Sequence, residues 1–241
     1  MSKPNGMIVW QGPSNIDGSD IVVILTGLEK PSDNGKTGPM VQSWILNVNT
    51  LPTEAVKSGE NSAICGNCPL LADSSEGRKR SCYVNVGQAP QGIYRAFLRG
   101  SYPRPSYDTL GEALRGKELR IGSYGDPAAV PAGVWHALLE FCSDWTSYTH
   151  QHESPRVELQ HLAMASVETV KGRTLAKSKG YRTFRVGFGI LPGEKPCPAG
   201  PKRSQVTCKT CPLKCNGGAG PDIVIPPHGA GAKNHPSGGI A

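Results

Sequence analysis

The sequence predicts an α/β fold built on a parallel sheet, with a cysteine-rich loop near its C-terminal end that binds a metal. Three observations carry this reading. From about residue 90 onward short apolar runs alternate with helical segments, the order that βαβ units require. Seven of the eight cysteines fall into two groups, and the second can complete a metal shell by itself. Thirty Gly and 21 Pro in 241 residues imply many turns and long connections between the elements.

Residues 1–60 read as strands and turns that pack on the core: "DIVVILTGL" and "VQSWILNVN" are strands, and "KPSDNGKTGP" between them is a turn-rich loop. "GKT" at Gly35–Thr37 invites comparison with a phosphate-binding loop, but that motif needs a glycine where Lys30 stands. Residues 61–192 form the β/α core and carry the first cysteine group. Within it "QGIYRAFLRGSY" reads as a helix and "ELRIGSYGDP" as a strand ending in Gly-Asp-Pro. A helix through Trp135–Cys142 and the short strand "TSYTHQ" follow. "LQHLAMASVET" is a strand ending at Glu168, "VKGRTLAKSKG" a basic helix with a glycine stop, and "YRTFRVGFG" another strand. Residues 193–241 hold the cysteine-rich loop, the last strand "DIVIPPHG" and a flexible tail, the whole chain making one structural domain. Asp126, His150, Glu168 and His228 each fall at or just past the end of a strand. Parallel strands would converge them on one rim, where ligands of such folds gather.

At 37% hydrophobic residues the chain can bury a real core. No apolar run approaches a membrane span, and "MSKPNGMIVW" lacks a signal peptide's apolar centre, so a soluble, cytoplasmic protein that meets no membrane is expected. A net charge of +7 favours polyanionic partners such as nucleic acid. Thiols of a cytosolic chain stay reduced, which argues against a disulfide framework. Cys142 lies outside both groups, on one helical face with Val134, Leu138, Phe141 and Trp145, and reads as a small core residue.

Cys197, Cys208, Cys211 and Cys215 are spaced Cys-x10-Cys-x2-Cys-x3-Cys, and four thiolates complete the shell of a structural zinc or a four-iron cluster. Pro198 and Pro212 directly follow two of them, a pairing common in cluster loops. Cys65, Cys68 and Cys82 are three thiols without an obvious fourth, and no histidine lies between them; the first in the chain is His136. Three thiolates would leave one iron of a cubane open, as a cofactor-activating cluster requires. A zinc site would instead borrow a histidine, or a thiol from the other group. Arg78, Lys79 and Arg80 stand ready to offset the thiolate charge. A rival motif is "YTHQHES": His150 and His152 alternate on a strand and would share a face, as a nicking endonuclease's metal site requires. Gln151 stands where such enzymes have an apolar residue, and Tyr181 offers only a loose nucleophile.

"CGNCPL", "CYVNVGQAPQGIYRAFLRGSYP", "LRIGSYGDPAAVP", "MASVET", "YRTFRV" and "TCKTCPLKCNG" together resemble the phage family called gene product 88, over roughly Gly38 to Gly231. More distantly the chain is similar to the radical S-adenosylmethionine superfamily. That kinship implies a partial, TIM-barrel-like (β/α) barrel with a [4Fe-4S] cluster on Cys65, Cys68 and Cys82, whose open iron binds S-adenosylmethionine. The spacing departs from the superfamily's Cys-x3-Cys-x2-Cys, being Cys-x2-Cys-x13-Cys here. On this resemblance Asp126 and Glu168 would orient the cofactor, the second cysteine group would hold a second cluster, and an electron donor would be a partner. A nucleotide or nucleic acid is the expected substrate, and the cytoplasm of a bacterial host the expected setting. The alternative expectation is a zinc-stabilised, basic protein that binds or nicks nucleic acid in phage replication, its affinity supplied by phosphate contacts.

Overall fold

The computed structural model describes residues 3–154, 158–200, 204–229 and 231–235. The flexible tail expected from the sequence falls mostly on 236–241, outside the described residues.

The described residues form two five-stranded sheets. In the first, β1 (Gly6–Pro13), β2 (Asp20–Thr26) and β3 (Val41–Asn47) make an antiparallel meander. Helices α1 (Pro52–Ser58), α2 (Ser62–Cys65), α3 (Ala89–Leu98) and α4 (Tyr107–Leu114) precede β4 (Glu118–Tyr124), which pairs with β3 in parallel. After α5 (Ala132–Leu139), β5 (Asp144–Thr146) pairs in parallel with β4 and completes the order β1-β2-β3-β4-β5. The second sheet is wholly parallel, with β6 (Tyr148–Thr149), β7 (Met164–Val167), β8 (Thr183–Val186), β9 (Glu194–Pro196) and β10 (Asp222–Ile225) in the order β6-β7-β8-β10-β9. Helix α6 (Val170–Ser178) connects β7 to β8. Among the described residues neither sheet closes into a barrel.

The two sheets meet where a single strand was expected. "TSYTHQ" breaks at Ser147, whose N–H donates to Cys215 O (2.8 Å) and whose carbonyl accepts from Met164 N (3.0 Å). The segment therefore hands over from the first sheet to the second, and its ladder stops at Thr149. His150, Gln151 and His152 lie beyond the sheet, so strand alternation does not govern where their side chains point.

Local chemistry explains the elements that position the site. Ile21 through Leu25 are fully buried, as expected of a continuous apolar run sandwiched on both faces. Trp135 on α5 is fully buried and donates its indole N–H to Pro127 O (3.0 Å), fixing the Gly-Asp-Pro corner after β4. Thr169 caps α6 by accepting from Gly172 N (3.0 Å), which sets Glu168 at the strand-to-helix junction. No helix among the described residues is long and apolar enough to cross a membrane.

The second sheet carries a buried ion-pair network. Arg185 donates from Nε and Nη2 to the two oxygens of Glu194, at 2.7 Å each, while Arg173 and Lys177 each donate to Asp222 Oδ2 at 2.8 Å. Burial pushes the Glu194 carboxyl up, but Arg185, the Leu191 N–H and Arg173 outweigh it and hold it below its ordinary value. Asp222 is likewise pushed up by burial and pulled lower still by Lys177, the Thr183 N–H and Arg173. Folded-state values below the unfolded ones mean that this stability is complete above about pH 5 and is lost as pH falls through the depressed values. Hydrogen exchange below that range is expected to deprotect β8–β10 before β2 and β3. Equal loss of protection in both sheets would contradict the role given to these pairs.

Candidate metal site

The first cysteine group is assembled by local turns. Helix α2 ends in Cys65, Gly66 after it takes φ +58°, and Cys68 N donates back to Cys65 O at 3.2 Å. The chain then runs out and folds back. Asp73 and Arg78 exchange both backbone hydrogen bonds (2.8 and 2.7 Å), and Arg78 Nη1 donates to Pro69 O (2.6 Å) and Leu71 O (3.0 Å). Ser81 N and Cys82 N both donate to Leu70 O, at 3.0 and 3.2 Å, and so return Cys82 to Cys65 and Cys68. Of the three basic residues expected to offset thiolate charge, Arg78 is spent inside this hairpin and Lys79 is exposed; Arg80 faces Cys65 and Cys82. Burial pushes the Cys65 thiol well above its ordinary value, and the neighbouring Cys68 and Cys82 add to the rise. Cys82 is raised by burial too, against the pull of Arg80.

The second group is pinned from three directions. Cys197 N donates to Val224 O (2.8 Å), Cys208 N to Lys36 O (2.9 Å), and Cys215 O accepts from Ser147 N. Lys36 belongs to the "GKT" loop, so that segment serves here as the dock for the cysteine loop, with Lys209 N also donating to Thr37 O (3.1 Å). One guanidinium organises the rest. Arg182 Nη1 donates to Lys214 O (2.9 Å), Asn216 O (3.2 Å) and Gly218 O (3.2 Å), and Nη2 to Leu213 O (3.2 Å) and Pro221 O (2.9 Å). Gly217 lies so close to Gln160 that an added Cβ would sit 2.2 Å from its carbonyl oxygen, which explains a glycine there without any special φ. Burial pushes the Cys215 thiol up to about 12, against the Tyr148 phenol that lies on it.

All seven grouped cysteines line one cavity of about 290 Å³. The eighth, Cys142, does not; its thiol donates to Leu138 O (3.4 Å) against the core, and burial pushes it up to about 12. All eight are free thiols. Among the described residues no three His, Cys, Asp or Glu side chains are grouped so as to hold a metal ion; what the seven cysteines share is the cavity that they line.

The rim residues meet at the first group. His150 Nδ1 lies 3.4 Å from Cys68 Sγ, and His150 Nε2 lies 2.9 Å from Glu168 Oε1. Burial would lower the imidazole's pKa, but Cys68 and Glu168 outweigh it and hold it well above the ordinary histidine value. Asp126 positions this histidine from behind. Its Oδ2 accepts from His150 N (2.8 Å), and its Oδ1 accepts from Thr149 Oγ1 (2.7 Å) and Ala128 N (3.0 Å). Gln151 donates to Cys65 O (2.9 Å), and His152 turns from the cavity to meet Tyr181 edge-on at 6.2 Å. The shared face expected of His150 and His152 is therefore absent, because the strand ends before them. His228 stands elsewhere on the cavity wall, stacked on Tyr83 (5.6 Å) with Lys36 Nζ 2.7 Å from its Nε2.

Several polar groups on the cavity wall were not singled out by the sequence. Arg120 is 7% exposed; it donates to the Tyr83 hydroxyl (3.1 Å) and lies 4.7 Å over the Tyr148 ring. Neither it nor Lys36 forms an ion pair with a carboxylate among the described residues. Burial works against the Arg120 charge, while Tyr83, Tyr148 and Cys208 favour it. Lys36 is lowered by burial against Cys197, Cys208 and Cys215, which favour its charge. Near the first group, Arg80 donates from Nη1 to Cys82 O (3.3 Å) and from Nη2 to Val84 O (2.7 Å), while its Nε and the Tyr124 hydroxyl are buried without a hydrogen-bond partner among the described residues. Orphaned donors and buried cations of this kind are costly unless an anionic acceptor faces them. Metal-bound thiolates would be such acceptors, and the cysteines on the cavity wall could supply them.

No family model, curated protein or solved structure matches this chain.

Proposed function

We propose that the chain is an iron–sulfur protein of the phage gene product 88 kind, related to radical S-adenosylmethionine enzymes, with two clusters on the walls of one ligand cavity. One observation carries the reading: cysteines from distant parts of the chain all face the same cavity. A zinc knot closes on its own four ligands and needs no shared space beside it. Cys65, Cys68 and Cys82 hold the first cluster and leave one iron without a cysteine. Cys197, Cys208, Cys211 and Cys215 hold the second. When bound, the first cluster supplies an electron to S-adenosylmethionine at its open iron.

The chain's own residues divide the remaining work. Arg120 and Lys36 offset the negative charge that four thiolates bring to the second centre. Arg80 Nε and the Tyr124 hydroxyl are the donors left over for the sulfurs of the first, the other two guanidinium nitrogens being engaged by Cys82 O and Val84 O. Both carboxylate oxygens of Asp126 are already engaged by Thr149, Ala128 and His150, and Glu168 is engaged by His150. Their role in this reading is to hold the rim in shape, in place of the cofactor contacts expected from the resemblance. At about 290 Å³ the cavity falls just below the ~300–1,000 Å³ usual for ligand sites, and the proposed substrate is a nucleotide or one base of a nucleic acid. The parallel strands of both sheets supply the arc of a partial (β/α) barrel, and the loops after them hold the clusters.

Anaerobic purification followed by iron, acid-labile sulfide and zinc analysis tests the reading. A brown protein with matching iron and sulfide, about eight of each per chain for two four-iron clusters, is expected. Stoichiometric zinc with neither iron nor sulfide overturns it. The same residues would then close two structural sites in a basic nucleic-acid-binding protein.

A further inference from the structure

We infer that Glu168 and His150 form a hydrogen-bond relay onto the Cys68 sulfur, and that this relay sets the reduction potential of the first centre. The inference rests on the reading of Cys65, Cys68 and Cys82 as cluster ligands. Its geometry is explicit. His150 bridges the other two residues, with Nδ1 at 3.4 Å from Cys68 Sγ and Nε2 at 2.9 Å from Glu168 Oε1. The first distance is that of an N–H···S hydrogen bond, and the second that of a charge-assisted one. A metal-bound sulfur carries no proton, so the proton in the Cys68 contact belongs to Nδ1 and the imidazole is the donor. Glu168, with its side chain 9% exposed, is the acceptor that fixes the ring from the far side.

The surroundings leave the ring little freedom. Asp126 Oδ2 accepts from the His150 backbone N–H at 2.8 Å, and Asp126 N in turn donates to Ile64 O at 2.6 Å, one residue before Cys65. The histidine's backbone and the cysteine turn are thus tied through one buried carboxylate. Glu168 is fixed by its place between the end of β7 and the Thr169 cap of α6. A ring held on both nitrogens and at its backbone is an outer-shell device of the kind that orients and tunes metal ligands.

The sign of the effect follows from charge. Reduction adds an electron to the cluster, and a donor on a ligand sulfur stabilises the more negative form, so the relay raises the potential. His150→Phe removes the donor and is expected to lower it enough to change the reduced-to-oxidised ratio at fixed poise at least tenfold, which is about 59 mV for one electron. Glu168→Gln keeps the ring in place but weakens its acceptor, and a smaller shift in the same direction is expected.

The experiment is a redox titration of the anaerobic protein followed by electron paramagnetic resonance. Iron and sulfide are assayed on every sample, and the first cluster's signal is identified in the full protein as the one lost in Cys68→Ala. A downward shift at unchanged iron content, larger for His150→Phe than for Glu168→Gln, supports the relay. Unchanged potentials at full iron content overturn it and leave the iron–sulfur reading standing. Strong nitrogen hyperfine coupling, lost in His150→Phe, would make His150 a direct iron ligand and overturns the relay as well. Absence of iron and sulfide from the unsubstituted protein removes both readings together.

Discussion

Arg182→Met is expected to release the second cysteine group without altering a single cysteine. The Arg182 side chain is the internal support of the loop from Leu213 to Pro221, donating to five of its carbonyls at 2.9–3.2 Å. Arg182 is 9% exposed, so water cannot simply take over these bonds. At about 1 kcal/mol or more for each buried carbonyl left without a donor, the loop loses several kcal/mol. On the two-cluster proposal metal-binding energy in this loop is folding energy, so an unsupported loop would also bind the proposed metal more weakly. The variant should lose the metal of the second centre, keep that of the first, and become sensitive to proteolysis between β9 and β10. Arg182→Lys can reach only part of the carbonyl set and should fall between. Full metal content with unchanged proteolysis in Arg182→Met would show that the cysteines hold the loop unaided.

The second large effect expected on the two-cluster proposal is a clean division of metal between the two groups. Cys68→Ala should remove about half the bound metal and leave the C-terminal loop folded, since four thiolates complete the other shell by themselves. Cys211→Ser should remove the other half and cost solubility, because the described residues of that loop have little regular structure besides the three of β9. Melting and metal content measured on both variants check the division. Loss of all metal in either one would mean that the groups share a single centre, and full metal in both would remove these cysteines from the ligand set.

Much of the fold was legible because local patterns matched local structure. The apolar run of β2 is continuous since that strand is covered on both faces, and α6 has a Thr cap before it and Gly180 after it. Of the elements not singled out, α1 and α4 do carry such signals, Pro52 and Gly59 at the ends of α1 and the Ser106 cap of α4, whereas β1, α2 and β9 lack them. Strand β1 shifts register between Ile8 and Trp10, and β9 is three residues of "EKP" whose place is set by β10. The break at Ser147 was invisible because it is imposed from outside, by Cys215 and Met164. For the site, the cysteine groups and the rim residues could be read from spacing and strand ends. Their partners could not. Nothing in the spacing of Cys68, His150 and Glu168 says that the histidine bridges the other two. Nor does the sequence show that Arg182 folds a loop thirty residues downstream, or that "GKT" docks that loop instead of a phosphate.

The most direct test of the two-centre cavity is anomalous diffraction from anaerobically grown crystals, with data on either side of the iron and zinc edges. Two iron peaks are expected, one bounded by Cys65, Cys68 and Cys82 and the other by Cys197, Cys208, Cys211 and Cys215, both on the wall of the cavity that Arg120 and Tyr148 line. A single peak, peaks away from that cavity, or signal at the zinc edge alone would contradict it.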